Sequence, residues 1–238
     1  MSNSTHQSEL SKQLSLGLPK RYGLYDPAFE KDSCGVGFIC DIKGRPSREI
    51  IKHAEHMNCC MVHRGGVGYE QSTGDGAGIL TGLPHSFFVR IANTDLGIKL
   101  PERGHYGAGT VFLPRSQAER KHCKSIIAEE IQSAGQKLLG WRPMPTDPDG
   151  AGIGKAARTA MPHIEQIFIG ANETEGDAFE RELYLIRKHS THRLRNDKTL
   201  NERQLFYVVS LSTKVIIYKG MLTPQQVFPF YPDLTASD

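Results

Sequence analysis

Short apolar runs alternate with polar, glycine-rich and proline-rich stretches along the chain, and their spacing predicts a mixture of strands and helices. Runs rich in apolar and β-branched side chains, bounded by turn residues, are typical of strands. Such runs predict strands at residues 34–42, 77–83, 107–113, 166–170, 205–211 and 214–218. Ser212 and Thr213 separate the last two runs and predict a hairpin.

Three longer segments carry apolar residues at the three-to-four spacing of an amphipathic helix. The first begins after Ser47 and ends near His63, the second begins after Ser116, and the third covers residues 177–195. Residues 140–154, with three prolines and four glycines, predict a loop. Because strands and helices do not alternate strictly, the order favours an α+β fold, as a layered α/β/β/α sandwich, over a doubly wound parallel sheet.

Length and charge narrow the class of protein. The chain has 238 residues, of which 38% are hydrophobic and 23% charged, enough for one large domain or two small ones. The 29 Lys and Arg are scattered among 26 Asp and Glu, giving a net charge of +3, so a nucleic-acid partner is not indicated. The longest apolar runs have four or five residues, far fewer than the roughly 20 that cross a bilayer.

The amino terminus and the cysteines indicate the compartment. Residues 1–20 are rich in Ser and Gln and lack the apolar core of a secretory signal peptide, which favours the cytoplasm and a disordered leader, with an organellar transit peptide left open. Five cysteines without disulfide-framework spacing favour a reducing compartment. The adjacent Cys59 and Cys60 have poor metal-ligand spacing, so no metal site is expected. With Cys40 and Cys123, they are predicted to be buried packing residues.

Cys34 differs from the other four cysteines in its surroundings. It follows the polar residues 31–33 and opens the sequence Cys-Gly-Val-Gly-Phe. Two small glycines beside a cysteine leave its thiol sterically open, as a nucleophile that attacks a carbonyl requires. Cys34 is therefore the candidate nucleophile.

The sequence around Cys34 and several later motifs resemble the class II glutamine amidotransferase domain at the start of the glutamate synthase large subunit. The resemblance covers residues 22–234, and the motifs follow the family's order. They are YDPAFEKDSCGVGFI at 25–39, HRGG at 63–66, TGDGAGIL at 73–80, GWR at 140–142, PTD at 145–147, FER at 179–181, YKGML at 218–222 and FYPDL at 230–234. The later motifs favour glutamate synthase over related amidotransferases that pass ammonia to other acceptors.

This resemblance implies an amino-terminal-nucleophile hydrolase with a four-layer α/β/β/α sandwich. Residues 1–33 would be a propeptide and residues 34–238 the amidotransferase domain, with Cys34 as the first mature residue. Its free α-amine, with a reference pKa of about 7.7 to 8.0, would be the general base for its own thiol. The implied reaction is attack on the glutamine amide, release of ammonia and hydrolysis of a glutamyl thioester, with the ammonia used to make glutamate from 2-oxoglutarate.

The resemblance also implies substrate-binding residues. Arg64 matches the family arginine that pairs with the glutamine α-carboxylate, which a guanidinium fork binds through two parallel hydrogen bonds. Asp75 would line the glutamine pocket, although an Asp-Gly turn is equally natural there. His63 would either orient Arg64 or be a packed histidine. The glycine-rich segment around Asp75 lacks the Lys-Ser/Thr pair of a phosphate-binding loop. Trp141 and Arg142 would fix a loop.

The family pattern extends beyond this sequence. In the family, an Asn-Gly pair that forms the oxyanion hole follows the Tyr-Pro-Asp-Leu motif, so the domain is expected to be truncated and incomplete at its carboxyl end. An inactive fragment or partner-binding remnant is the alternative function. No cofactor is expected in this segment, since FMN and an iron–sulfur cluster belong to the missing synthase part. The expected partners are glutamine, the remaining glutamate synthase domains and a small reductase subunit, without nucleic acid or membrane.

Overall fold

The computed structural model describes residues 21–23, 26, 34–67 and 69–236. The chain divides into two units, Met1–Cys34 and Gly35–Asp238. Most of the predicted propeptide, including the leader at residues 1–20, lies outside the described residues. Where that unit is described, Arg21 forms an ion pair with Asp26 at 3.4 Å.

The second unit contains helices and strands in mixed order. The helices are α1 (Arg48–Cys60), α2 (His85–Leu96), α3 (Gln117–Ser133), α4 (Lys155–Ala160), α5 (Gly176–Asn196) and α6 (Val227–Phe230). The strands are β1 (Ala77–Gly82), β2 (Tyr106–Leu113), β3 (Lys137–Pro143), β4 (His163–Gly170), β5 (Tyr207–Val208) and β6 (Val215–Gly220). Short 3-10 turns cover Val62–Arg64, Arg203–Leu205, Pro224–Gln226 and Pro232–Thr235. Among the described residues, no helix combines the length and apolarity needed to cross a membrane.

Local caps begin two of the helices that the sequence predicts. The Ser47 hydroxyl accepts a hydrogen bond from the backbone N–H of Glu49 at 3.2 Å and starts α1. The Ser116 hydroxyl accepts from the Glu119 N–H at 3.5 Å and starts α3. These contacts satisfy N–H groups that have no partner within the helix. The serine caps begin α1 and α3, whereas α5 begins without a side-chain cap. The three predicted helices α1, α3 and α5 are confirmed.

Two antiparallel sheets form the β structure of this unit. Strands β3, β4, β2 and β5 form a four-stranded sheet in that order, and β1 and β6 form a two-stranded sheet. In the larger sheet, Tyr106 pairs with Gly170. In the smaller sheet, Ala77 pairs with Gly220. The antiparallel sheets and mixed helices confirm the α+β class.

The four-stranded sheet is buried on both faces. Successive side chains of a strand point to opposite faces, and β4 divides its apolar residues accordingly. Ile167 and Ile169 belong to the core cluster that contains the buried residues of α3 and α5. Ile164 and Phe168 belong to the second cluster, which also contains buried residues of α2, β1, β6 and the 227–234 segment. The larger sheet thus lies between two apolar cores.

The predicted hairpin at residues 205–218 is wrong. Strand β5 pairs with β2, whereas β6 pairs with β1, so the two strands belong to different sheets. Two serines in the connecting segment accept hydrogen bonds from nearby backbone groups: the Ile217 N–H donates to Ser210 Oγ at 3.2 Å and the Lys214 N–H donates to Ser212 Oγ at 3.0 Å. Side-chain acceptors of this kind compete with backbone ladders.

The predicted loop at residues 140–154 is also partly wrong. Its first residues belong to β3, where Trp141 pairs with Ile167 and Arg142 with Gln166. Pro143 ends this strand at the sheet's edge, where a missing N–H is tolerated. The sequence interpretation also missed α2 and the short α4.

Candidate functional site

Cys34 is the last residue of the first unit, and its side chain is exposed. An exposed thiol agrees with the accessibility that a nucleophile requires. The predicted buried strand at residues 34–42 is wrong, because residues 34–40 form no strand with any part of the chain that the structure describes. The side chains of Val36 and Phe38 are 90% and 86% exposed.

Two glycines bring the segment after Cys34 onto α1. A Cβ atom on Gly35 would lie 3.0 Å from the Cβ of Arg64, and one on Gly37 would lie 2.5 Å from the sulfur of Met57. A side chain at Gly37 would displace the Met57 side chain of α1, and one at Gly35 would press on Arg64 in the turn that follows the helix. The alternation of Gly with Val and Phe therefore reflects close packing on α1 and the turn after it rather than pairing with another strand.

Arg64 ends the 3-10 turn that follows α1. Its backbone N–H donates to the Met61 carbonyl at 2.8 Å. Its side chain is exposed, and the guanidinium has no ion-pair partner among the described residues. The neighbouring His63 is also exposed and its Nδ1 donates to the Cys60 carbonyl at 3.1 Å, so the structure supports neither of its predicted roles.

The glycine-rich segment folds back so that Asp75 lies beside Gly66. The Asp75 N–H donates to the Gly66 carbonyl at 3.1 Å, and Val67 forms an antiparallel bridge with Gly74. A Cβ on Gly66 would lie 2.0 Å from Asp75 Oδ2, so a larger residue there would displace this carboxylate from its present position. The structure thus places Arg64 and Asp75 in one loop of the second unit, whereas Cys34 belongs to the first unit.

Glu70 anchors this loop, and the sequence interpretation did not identify it. Its carboxylate accepts from the Thr73 hydroxyl at 2.6 Å and from the backbone N–H groups of Lys155 and Ala156 at 2.9 and 3.0 Å. The Thr73 hydrogen bond, followed by the two backbone bonds, holds the pKa of Glu70 below its usual range. Because α4 has no side-chain cap of its own, Glu70 supplies the negative charge that a helix start favours.

Arg142 is buried at the centre of a polar network. Its Nε donates to Asp95 at 2.7 Å, and its two terminal nitrogens donate to the Asp233 carboxylate at 2.7 and 3.1 Å. It also donates to Gln166 Oε1 at 2.8 Å. Burial lowers the pKa of Arg142, but the hydrogen bonds to Asp233 and Asp95 outweigh that effect and raise it. Arg142 thus holds the turn Pro232–Thr235 against β3, which agrees with the loop-fixing role predicted for this residue.

A cavity of about 230 Å³ lies away from the Arg64 loop. Most of its lining residues are apolar, and they include residues of α4 and of the segment 220–231 but neither Arg64 nor Asp75. Among the described residues, no group of three or more His, Cys, Asp or Glu is arranged to hold a metal ion.

The other four cysteines differ in burial. Cys123 is buried, which confirms its predicted packing role, and burial raises the pKa of its thiol to about 12. Cys40 and Cys60 are exposed and Cys59 is intermediate, so their predicted burial is wrong. These residues lie on a surface loop and on α1, a helix without fully buried residues.

We expect Cys123 to resist alkylation in the folded protein. A thiol with a pKa of about 12 has only about one ten-thousandth of its population as thiolate at pH 8, and the side chain is also inaccessible. Brief treatment with iodoacetamide followed by peptide mass spectrometry should label Cys34 and Cys60 but not Cys123, which should react after denaturation in urea. Equal labelling of Cys123 in the native protein would contradict its burial.

Comparison with known protein families matches residues 34–238 to the family described as Glutamine amidotransferases class-II. The glutamate synthase (NADPH) large chain of Bacillus subtilis is 42% identical over 219 residues, covering 91% of this chain and 14% of the relative. Glutamate synthase (NADH) of Schizosaccharomyces pombe is 38% identical over 228 residues, covering 93% of this chain and 10% of the relative. The chloroplastic ferredoxin-dependent glutamate synthase of Oryza sativa subsp. japonica is 37% identical over 206 residues, covering 86% of this chain and 12% of the relative.

These comparisons confirm the resemblance that the sequence motifs indicate. The chain spans only 10 to 14% of the length of these three relatives, so the similarity concerns one part of each glutamate synthase. The family match begins at Cys34, includes Arg64 and Asp75, and covers most of the chain. The chain therefore belongs to the class II glutamine amidotransferases.

Proposed function

We propose that this chain carries out the glutaminase half-reaction of a glutamate synthase. The Cys34 sulfur attacks the side-chain carbonyl of glutamine, the carbon–nitrogen bond breaks, and ammonia leaves with the proton taken from the thiol. Water then hydrolyses the glutamyl thioester, giving glutamate and the free thiol. The observation that carries this proposal is the family match that begins at Cys34, whose side chain is exposed.

The proposal assigns a role to each candidate site residue. Removal of residues 1–33 would give Cys34 a free α-amine, which titrates near neutral pH and can take the thiol proton and return it to the leaving ammonia. The exposed Arg64 guanidinium would pair with the glutamine α-carboxylate. Asp75, in the same loop, would line the substrate pocket. These roles make Cys34 the catalytic residue and Arg64 and Asp75 binding residues.

The whole protein's context is part of the same proposal. The domain would be a four-layer α/β/β/α sandwich, and its ammonia would pass to a synthase part that makes glutamate from 2-oxoglutarate. FMN and an iron–sulfur cluster would bind in that part rather than in this segment. A small reductase subunit is a further proposed partner, and the cytoplasm is the proposed location. The names of the relatives specify NADPH, NADH or ferredoxin, so the electron donor is not assigned.

A covalent label tests the proposed nucleophile. The purified chain is incubated with 6-diazo-5-oxo-L-norleucine, a glutamine-like electrophile, and analysed by intact and peptide mass spectrometry. We expect loss of residues 1–33 and one adduct on Cys34, with the exposed Cys60 as an internal control that stays unlabelled. A folded chain that keeps residues 1–33 and carries no adduct, or that labels Cys60 equally, would contradict the proposal.

Arg64→Lys tests the carboxylate-binding role. A lysine keeps the charge but cannot form two parallel hydrogen bonds, so the half-saturating concentration for Cys34 labelling should rise about 10- to 100-fold. The limiting rate at saturation should change little, because the nucleophile is intact. Arg45→Lys, at an exposed position that pairs locally with Asp41, is the matched control. An unchanged half-saturating concentration in Arg64→Lys would remove Arg64 from the binding site.

A further inference from the structure

The carboxyl-terminal turn Pro232–Thr235 connects the buried Arg142 to the surface helix α1. The Asp233 side chain is 5% exposed and accepts two hydrogen bonds from Arg142, whose side chain is 6% exposed. The next residue, Leu234, is buried, and its carbonyl accepts a hydrogen bond from the Arg48 guanidinium. Arg48 is the first residue of α1. Polar contacts therefore run without interruption from β3 to the start of this helix.

Helix α1 buries fewer of its own apolar side chains than α3 does, so it depends more on polar contacts such as this hydrogen bond. None of its 13 residues is fully buried, whereas α3 buries Cys123, Ile127 and Ile131. Its apolar contacts with the core come from the partly buried Ile51 and Ala54. Burial of large apolar side chains is a main stabilising contribution to a packed helix, and α1 lacks a full contribution of this kind. A hydrogen bond from a charged group at its first residue is thus a large part of what holds it in place.

The far end of α1 presents the substrate-binding loop. The helix leads through Met61 into the turn that ends at Arg64. Met57, in the last turn of α1, lies against Gly37, whereas Met61 and Arg64, after the helix, lie against Gly35. A rotation or shift of α1 would therefore move the Arg64 guanidinium. Displacements of about 1 Å in a site are enough to weaken binding strongly.

We propose that Arg142, Asp233 and Arg48 form a positioning relay that fixes α1 and so sets the place of the Arg64 guanidinium. Arg142 holds Asp233 and the turn, the turn presents the Leu234 carbonyl, and that carbonyl holds Arg48. None of the three contacts the reacting atoms; they act through Arg64. The part of this inference that concerns glutamine rests on the proposed function, whereas the part that concerns the position of α1 does not.

Hydrogen–deuterium exchange tests the position of α1 directly. Arg48→Met removes the hydrogen bond but keeps a long apolar stem, whereas Arg48→Lys keeps a donor that can reach the carbonyl. We expect exchange in residues 48–64 to be about tenfold faster in Arg48→Met and near wild type in Arg48→Lys, with residues 117–133 unchanged. Arg45→Met, three residues away and exposed, is the matched control and should leave residues 48–64 unchanged. An unchanged segment in Arg48→Met, or an equal rise in residues 117–133, would overturn the relay.

Labelling kinetics test the effect on the glutamine site. In Arg48→Met, the half-saturating concentration of 6-diazo-5-oxo-L-norleucine at Cys34 should rise about fivefold or more while the limiting rate stays within about twofold. Asp233→Asn should produce the same pattern, and Arg48→Lys should restore most of the affinity. If wild-type Cys34 is never labelled, the proposed function fails, and the exchange measurement alone decides whether the relay positions α1. Equal losses of limiting rate and affinity in every variant, including Arg45→Met, would contradict the relay.

Discussion

Cys34→Ser is expected to lower the rate of labelling by 6-diazo-5-oxo-L-norleucine at position 34 by at least about 10³-fold, the largest effect of any single change in this chain. The substitution replaces one atom of an exposed side chain, so we expect little effect on the stability of the fold. A hydroxyl is far less ionised than a thiol near neutral pH and is a weaker nucleophile when it lacks a strong base. The loss should therefore be chemical rather than structural, which rate measurements by mass spectrometry will show.

Binding measurements separate the chemical effect of Cys34→Ser from loss of the site. Calorimetric titration with glutamine should give the wild-type dissociation constant in Cys34→Ser and a weakened one in Arg64→Lys. Cys60→Ser, which changes another exposed thiol, should keep the wild-type labelling rate at Cys34. Persistent labelling at position 34 in the serine variant, or loss of labelling in Cys60→Ser, would show that Cys34 is not the nucleophile.

The parts of the fold that could be predicted from sequence are those decided by neighbouring residues. Ser47 and Ser116 cap α1 and α3 through N–H groups two and three residues away, and their apolar spacing is visible in the same segment. The hairpin prediction failed because β6 pairs with β1, which lies more than 130 residues earlier, and because Ile217 of β6 donates its N–H to the Ser210 side chain. Strand β3 was missed because its prolines and glycines indicate a loop, whereas pairing with β4 makes it a strand.

The candidate site shows the same division between local and distant partners. Cys34, Arg64 and Asp75 could be identified because each lies within a short motif. Glu70 could not be identified in this way, because the N–H groups that donate hydrogen bonds to it belong to residues that lie 85 and 86 positions later in the chain. Asp95 and its partner Arg142 are 47 positions apart, and no spacing rule connects them. The candidate site residues are thus visible in the motifs, whereas the residues that hold those motifs in place become visible only in the fold.

Arg142→Met should lower the free energy of unfolding by about 3 to 5 kcal/mol, the largest expected effect on stability. The substitution leaves Asp233, with 5% of its side chain exposed, as a buried carboxylate without its cation. Asp95 loses the same partner but is 41% exposed, so water compensates part of its loss. Urea unfolding followed by circular dichroism measures the change. Arg158→Met is the matched control, because Arg158 pairs with an aspartate whose side chain is 90% exposed, and it should change stability by less than about 0.5 kcal/mol.

The pH dependence of stability should change with Arg142→Met in a defined direction. The hydrogen bond from Arg142 is the main reason that the pKa of Asp95 lies below its usual value. A carboxylate with a lowered folded pKa stabilises the fold above its unfolded pKa of about 4, and this contribution is lost as the pH falls through the folded pKa. Wild-type stability should therefore fall more steeply than that of Arg142→Met below about pH 4. Parallel stability curves for the two proteins, or full stability of Arg142→Met at pH 7, would mean that Arg142 does not hold Asp95 and Asp233 in the folded protein. If Arg142→Met does not fold, Arg142→Lys, which keeps one donor, replaces it in the comparison.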